Sequence, residues 1–421
     1  MKSSKYNIYH EQDNKYFVYN QLSSSLSQID KELFIALKTN AIESISDKSL
    51  LSEMFNAYFI CEKDLIEENQ IIAANNIYRY GKQIARITIL PTLDCNFNCW
   101  YCYESHINSI MTNDRMEAIY CFCKNIIIKD KPQVFHLDWF GGEPLLFFDL
   151  IIYPLAVRIR KLCEMHKITF RHTITTNGYL INSEMIKKMV EIDLNGFQIT
   201  LDGAKKNHNK IRYSETDKNT YQTITNNIIA LCREIRNIDM TVRINYTPKN
   251  IATIDDIAYS FPEDVRRHIF IQPQIVWQFK DKINSITDTI KTKLSIFSTM
   301  GYKNQENITP QMNSGCYAEN MLQFVINYDL SVYKCTARDF ISPKASIGNI
   351  DHNGNFIPNS NYYNYYVSSY MENDTCLACK YLPSCHGMCI QKKIENSIPK
   401  CPKEEIEHSL INQLSLIVNK M

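Results

Sequence analysis

Three cysteines, Cys95, Cys99 and Cys102, follow one another in a CxxxCxxC array. Three thiolates on one tight loop can hold three corners of a 4Fe–4S cube and leave the fourth iron open to a small molecule. A zinc ion would want a further protein ligand, for which His106 is the nearby candidate. A second set lies near the C-terminus: Cys376-x2-Cys379-x5-Cys385-x3-Cys389 and then Cys401, preceded by Cys316 and Cys335. Taken alone, such CxxC spacing also fits a zinc ribbon. The other five cysteines, Cys61, Cys121, Cys123, Cys163 and Cys232, fall in apolar or helix-like segments and read as small buried hydrophobes.

Between the two sets stand further groups with chemical capacity. Phe140-Gly141-Gly142-Glu143-Pro144 combines two glycines, which let a ligand approach the backbone, with a carboxylate suited to an ammonium group. Thr175-Thr176-Asn177-Gly178, Gln198-Ile199-Thr200-Leu201-Asp202-Gly203 and His208-Asn209-Lys210-Ile211-Arg212 follow in order, with Asn245 beyond them.

The elements that must position these residues alternate. Apolar strand patterns cover Ile87–Leu90, Val134–Trp139, Ile168–Thr175, Gly196–Leu201, Thr241–Thr247 and Ile269–Val276. Helical spacing fills the gaps at Arg115–Ile128, Leu146–Met165, Ser183–Ile192, Tyr221–Ile235 and Ile254–Phe261. Six strands alternating with helices predict a parallel sheet with right-handed crossovers. No GxGxxG follows the first strand, so an open or partial barrel fits better than a Rossmann sheet. Ligands in such folds bind at the C-terminal strand ends, where each motif falls. Residues 1–83 read as a β-then-α module, winged-helix-like, with strands Tyr6–His10 and Tyr16–Leu26 and helices Lys31–Lys38, Ser49–Phe55 and Asp64–Arg79. The core spans 84–300 and includes a connecting helix at Lys282–Met300. A cysteine-rich domain covers 313–402, and 403–421 is a closing helix.

CxxxCxΦC with the aromatic Tyr101, GGEP, TNG and LDG in order on successive strands together resemble the radical S-adenosylmethionine (SAM) superfamily. The resemblance implies an α/β fold, a partial (β/α)6 radical SAM barrel. It implies that Cys95, Cys99 and Cys102 hold a 4Fe–4S cluster and that SAM binds its open iron. Reductive cleavage of SAM would then yield a 5′-deoxyadenosyl radical that abstracts a substrate hydrogen. Tyr101, Gly141, Gly142, Glu143, Pro144 and Asn177 would contact SAM, with the GGEP stretch at its amine. Thr200 and Arg212 would meet its carboxylate, and Asn245 its nucleoside.

The seven C-terminal cysteines resemble a SPASM domain, supported by Asp329–Cys335 and Ile347-Gly348-Asn349-Ile350. That resemblance implies two auxiliary 4Fe–4S clusters. Cys376, Cys379, Cys385 and Cys401 would hold one completely. Cys316, Cys335 and Cys389 would hold the other with an iron site open, to which a substrate thiolate could bind. Leu330 stands where a turn glycine is usual, so the turn there is expected to take another shape.

Two branches of this family compete. Sulfatase-maturating enzymes carry a further cysteine shortly after the first SPASM cysteine, where this chain has Tyr317–Leu322. They also carry an aspartate after the second, where it has Thr336, with Asp339 near but offset. Peptide maturases often begin with a leader-recognition module, and residues 1–83 match its order. Tyr19-Asn20-Gln21-Leu22-Ser23-Ser24-Ser25-Leu26 also resembles their opening. The implied substrate is a ribosomal precursor peptide with a leader, and the implied electron donor is flavodoxin- or ferredoxin-like. A cap over the barrel is an equal reading of the N-terminal module. A non-catalytic iron–sulfur redox sensor is the reading from another class.

Composition narrows the rest. A net charge of +1 carries no footprint for nucleic acid. The N-terminus MKSSKYNIYHEQDNKYF lacks an export h-region, and no apolar run reaches membrane-spanning length. A cytoplasmic, reducing location is expected, where clustered cysteines bind metal rather than pair.

Overall fold

The computed structural model describes residues 1–279, 287–303, 315–368, 373–385, 387–395 and 401–419. The described residues fall into two compact units. One draws on Met1–Gly81, Gln305–Met321 and Tyr363–Met421, the other on Lys82–Asn304 and Leu322–Tyr362.

In the first unit, β1 (Lys2–Ser3) pairs with β5 (Ile60–Cys61), and β2 (Asn7–Gln12), β3 (Lys15–Asn20) and β4 (Leu26–Ile29) form an antiparallel sheet. Asp13 and Asn14, at φ 51° and 59°, make the two-residue left-handed turn that matches the twist of a β2–β3 hairpin. The expected single strand Tyr16–Leu26 is two strands. The Asn20 side chain accepts from the Leu22 and Ser23 amides and turns the chain, and Ser24 takes φ 59°. Helices α1 (Lys31–Lys38) and α2 (Lys48–Asn56) start at aspartate caps, Asp30 accepting from Leu33 N and Asp47 from Ser49 N and Leu50 N. They pack Leu33, Leu37 and Met54 on Val18, Phe59 and Ile60. Helix α3 is Glu68–Tyr80.

In the second unit, strands β6 (Ile84–Ile89), β7 (Val134–Trp139), β8 (Thr169–Thr176), β9 (Gly196–Leu201), β10 (Asp239–Tyr246) and β11 (Ile269–Ile275) lie parallel and in chain order. Helices α4 (Asn113–Lys129), α5 (Tyr153–Met165), α6 (Ser183–Glu191), α7 (Lys205–Ile211) and α8 (Thr220–Glu234) link them. This is the expected α/β architecture of six strands and crossover helices. Period-two alternation buries Ala85, Ile87, Ile89, Phe135, Leu137 and Trp139 completely or nearly so. The alternate residues Arg86, Thr88, His136 and Asp138 make a polar cluster on the other face. Cys123, Cys163 and Cys232 are buried in helices, Cys61 is buried in β5 and Cys121 is half-buried.

Three expectations for this unit change. Leu146–Met165 is a 3-10 turn (Pro144–Phe147), a π turn (Phe148–Ile152) and then α5. Pro154 has no N–H to give to an i−4 carbonyl, which breaks the α ladder at that point. Ile254–Phe261 is largely 3-10 (Asp255–Ser260), followed by the short α9 (Glu263–Arg266). The connecting helix α10 is Thr287–Thr299, and the earlier part of its expected span lies outside the described residues.

The chain then adds β12 (Gln323–Ile326), parallel to β6, and the antiparallel β13 (Ser331–Tyr333), β14 (Gly348–Ile350) and β15 (Phe356–Pro358), which extend the sheet to ten strands. At the β12–β13 turn Leu330 takes φ 71°, the conformation a glycine would take, so the turn keeps its shape and a buried leucine bears the strain. Short helices follow: α11 (Ser360–Val367), α12 (Asp374–Leu377), α13 (Leu382–Cys385) and α14 (Ile390–Ile394). The final helix α15 (Lys403–Val418) sets Leu410 and Leu414 on Ile8, Tyr19 and Tyr381. Among the described residues no helix is long and apolar enough to cross a membrane.

Candidate functional site

The loop after β6 carries Cys95, Cys99 and Cys102, and all three line one cleft with about 910 Å³ of empty space, part of it open to solvent. The thiols are half-buried or exposed at their outer edge, and burial raises all three, Cys102 to about 11. The Phe97 amide donates to Cys95 Sγ at 3.4 Å, and Cys102 Sγ lies 3.3 Å from His106 Nε2. Among the described residues, no three His, Cys, Asp or Glu side chains close on a single metal ion. A cube that takes one thiolate per iron holds its cysteines farther apart than one ion does.

The glycines of the 140–144 loop serve the cysteine loop. A Cβ on Gly142 would lie 2.1 Å from the Asp94 carbonyl oxygen, and one on Gly141 2.4 Å from that of Thr92. Gly141 also takes φ +113°. Both reach the cleft wall, whereas Glu143 and Pro144 do not line it. Glu143 is buried and its oxygens are taken: Oε1 accepts from Thr176 Oγ1 (2.7 Å) and Leu145 N (3.0 Å), Oε2 from Asn177 N (2.7 Å). The carboxylate expected to face an ammonium group instead braces the β7 loop against the end of β8. Asn177 faces the cleft and donates to Asn96 Oδ1 at 2.7 Å, which ties that end to the cysteine loop.

On the far wall Tyr101, Thr200, Arg212 and Asn245 meet. The Tyr101 hydroxyl donates to Asp202 (2.6 Å to Oδ2) and accepts from Arg212 Nη1 (3.0 Å) and Asn245 Nδ2 (3.1 Å). Burial pushes the Asp202 carboxyl up to about 6. Arg212 Nε is buried with no acceptor among the described residues, a vacancy an anionic group would fill.

The cleft also gathers residues that sequence reasoning missed. Arg243 lies across from Thr200 in the β9–β10 register, and its Nε donates to Asn245 Oδ1 at 3.1 Å. Glu104 is buried, and desolvation with the nearby Asp339 charge pushes it up to about 8. Asp339 itself accepts from Ser105 Oγ at 2.6 Å. Arg243 was legible only as the inward neighbour of Asn245 at period two. Glu104 had no sequence signal beyond following Cys102.

The C-terminal cysteines divide. Each in the first unit, Cys376, Cys379, Cys385 and Cys401 share one neighbourhood. After burial, the charges of Cys401 and Cys379 are what raise Cys376, and Cys401, Cys379 and Cys376 help push Cys385 up to about 11. Cys316 and Cys389 are exposed in the same unit, and Cys335 belongs to the second.

Residues 89–258 match the family described as the radical SAM superfamily. The radical SAM cyclopropyl synthase TigE of Paramaledivibacter caminithermalis is 24% identical across 93% of this chain and 91% of its own. A cysteine-type anaerobic sulfatase-maturating enzyme of Clostridium novyi is 24% identical across 75% of this chain and 90% of its own. The solved structure of native anSMEcpe with bound AdoMet has the same fold, with a TM-score of 0.61 over 80% of this chain and 100% of that one at 18% identity.

Proposed function

We propose that this chain, which carries a radical SAM domain over residues 89–258, is an enzyme that crosslinks a ribosomally made peptide. The observation that carries the reading is the single cleft joining Cys95, Cys99 and Cys102 to Gly141, Gly142, Asn177, Thr200, Arg212 and Asn245. The three thiols would hold a 4Fe–4S cluster, and the backbone at Gly141 and Gly142 would meet the ammonium of SAM. The free Arg212 Nε and the Thr200 hydroxyl would take its carboxylate, while Tyr101 and Asn245 flank the nucleoside. Loaded with cluster and SAM, such a site supplies a 5′-deoxyadenosyl radical that removes a substrate hydrogen. The cleft walls would orient the substrate against that radical.

Two auxiliary clusters belong to this reading, one on Cys376, Cys379, Cys385 and Cys401 and one on Cys316, Cys335 and Cys389. A flavodoxin- or ferredoxin-like protein would deliver electrons. A peptide substrate accords with the Cp18Cys peptide bound in a related anSMEcpe structure. The three-strand sheet followed by helices in residues 1–83 has the order of a leader-binding module, and the edge of β4 could accept a leader as a further strand. Carbon–carbon bond formation is favoured over a thioether by the cyclopropyl synthase, which aligns over most of this chain. Sulfatase maturation is the second reading, weakened by Thr336 and by the absence of cysteine in Tyr317–Leu322.

The test is anaerobic. Protein reconstituted with iron and sulfide receives dithionite and SAM, and 5′-deoxyadenosine is quantified beside a Cys95/Cys99/Cys102→Ala variant. Cleavage by the parent alone supports the radical reading. Zinc in place of iron overturns it. For the substrate, mass spectrometry of precursor peptides encoded nearby should reveal loss of two hydrogens, and an aldehyde at cysteine or serine would favour the second reading.

A further inference from the structure

The residues Tyr19–Leu26, which resemble the opening of peptide maturases, do work that leader recognition does not require. Gln21 is fully buried, and its Nε2 donates to the Lys380 carbonyl at 2.6 Å and the Tyr6 carbonyl at 3.2 Å. Its Oε1 accepts from Ser384 Oγ at 2.8 Å. Lys380 follows Cys379 and Ser384 precedes Cys385, so one glutamine clamps both ends of the loop between them. Lys5 Nζ donates to the carbonyl of Leu377, the residue after Cys376, at 2.6 Å. Tyr19 belongs to the apolar cluster against which Cys379 packs. Three cysteines of the fully ligated set are thus held from the N-terminal strands.

Between those strands and the cysteines lies Tyr6. It is fully buried, clusters with Ile71 and Leu382, and has Cys376 and Leu377 packed against that cluster. Its hydroxyl has no hydrogen-bond partner among the described residues. Leaving a buried hydroxyl unpaired is destabilising. Of the charged groups around it, Glu68 and Glu67 are engaged by Lys5 and Ser4, and Cys379 comes next, while Cys376 packs against the same cluster. Sulfur of a group bound by these cysteines is an acceptor that would satisfy the hydroxyl.

We propose that the Tyr6 hydroxyl donates a hydrogen bond to a sulfur of the iron–sulfur group held by Cys376, Cys379, Cys385 and Cys401, and so helps set that group's reduction potential. The proposal rests on the auxiliary-cluster reading given above. It makes the N-terminal module a wall of that site, with Tyr6 and Gln21 as positioning residues. A hydrogen bond to sulfur stabilises the reduced, more negative cluster, so its loss lowers the potential.

The experiment compares full-length Tyr6→Phe with the parent, both in the Cys95/Cys99/Cys102→Ala background so that only auxiliary clusters contribute. Phenylalanine keeps the ring packed on Ile71 and Leu382. Iron content is measured first: a parent of this background without iron overturns the cluster reading itself. With iron present, a redox titration followed by electron paramagnetic resonance should show one auxiliary signal at lower potential in Tyr6→Phe and the other unmoved. Resonance Raman spectra in D2O should show an isotope-sensitive iron–sulfur band in the parent that Tyr6→Phe loses. Equal potentials in both proteins overturn the proposal. Should Tyr6→Phe lose its iron, the parent spectrum decides: an isotope-sensitive band supports the proposal and its absence overturns it.

Discussion

At the scale of single residues, two side chains have their hydrogen-bonding capacity fully used, one in the cleft and one in the sheet behind it. The Tyr101 hydroxyl gives its proton to Asp202 and accepts from Arg212 and Asn245. Tyr101→Phe removes that junction and frees Arg212 to turn from the cleft. An interaction of about 1.4 kcal/mol corresponds to a tenfold weaker SAM affinity, measurable by calorimetry on reconstituted protein. His172 is the second. Trp139 Nε1 donates to its Nε2 at 2.6 Å, so its Nδ1–H faces the Ile192 carbonyl at 2.9 Å. Burial holds this imidazole down at about 4, against an ordinary value near 6.5. The unfolded chain therefore binds the extra proton between these values, and stability falls as pH drops through that window. His172→Gln should flatten the dependence of the urea midpoint between pH 6.5 and 4. The cysteine triplet was legible because its members are sequence neighbours. Glu143 was legible as part of a motif but not in its bonding, since Thr176 and Asn177 reach it only through the β7–β8 register.

The elements show which forces win locally. Gly142 leaves no room for a side chain against Asp94, so Gly142→Ala must push back the loop that carries Cys95. That variant should lose about four irons per chain, one 4Fe–4S cluster, while the remaining iron stays. Leu330 sets strain against burial. Its left-handed backbone costs about 1–2 kcal/mol, while full burial of a leucine gains about 1.5–3 kcal/mol. Burial should prevail, so Leu330→Gly should destabilise the second unit by about 1 kcal/mol. All three tryptophans, Trp100, Trp139 and Trp277, lie in that unit and report its unfolding by fluorescence. Stabilisation by glycine would mean that strain dominates. The six parallel strands were legible from apolar runs and the helices between them from period 3.6. The break at Pro154 and the strand β12 were not. A proline's effect depends on which carbonyl it denies, and β12 gains its place from a partner far away in the sequence.

On the scale of the whole molecule, both units are built from separated stretches of chain. The first joins residues near the N-terminus to Cys376, Cys379, Cys385 and Cys401, and the second closes the β6 edge with β12. No local pattern announces such pairings, which is why the sequence suggested successive modules. The register that pairs Arg86 with Gln323 has a consequence for synthesis. At roughly 5–20 residues per second, β6 leaves the ribosome about ten to fifty seconds before its partner exists. During that interval one side of β6 presents unpaired backbone amides and carbonyls to whatever strand is near. A nascent chain halted before Gln323 should be a substrate for chaperones and prone to self-association, whereas one extended past Pro358 can seal that edge with its own strands. Assembly of the first unit waits longer still, because it needs helix α15, which is made after β15.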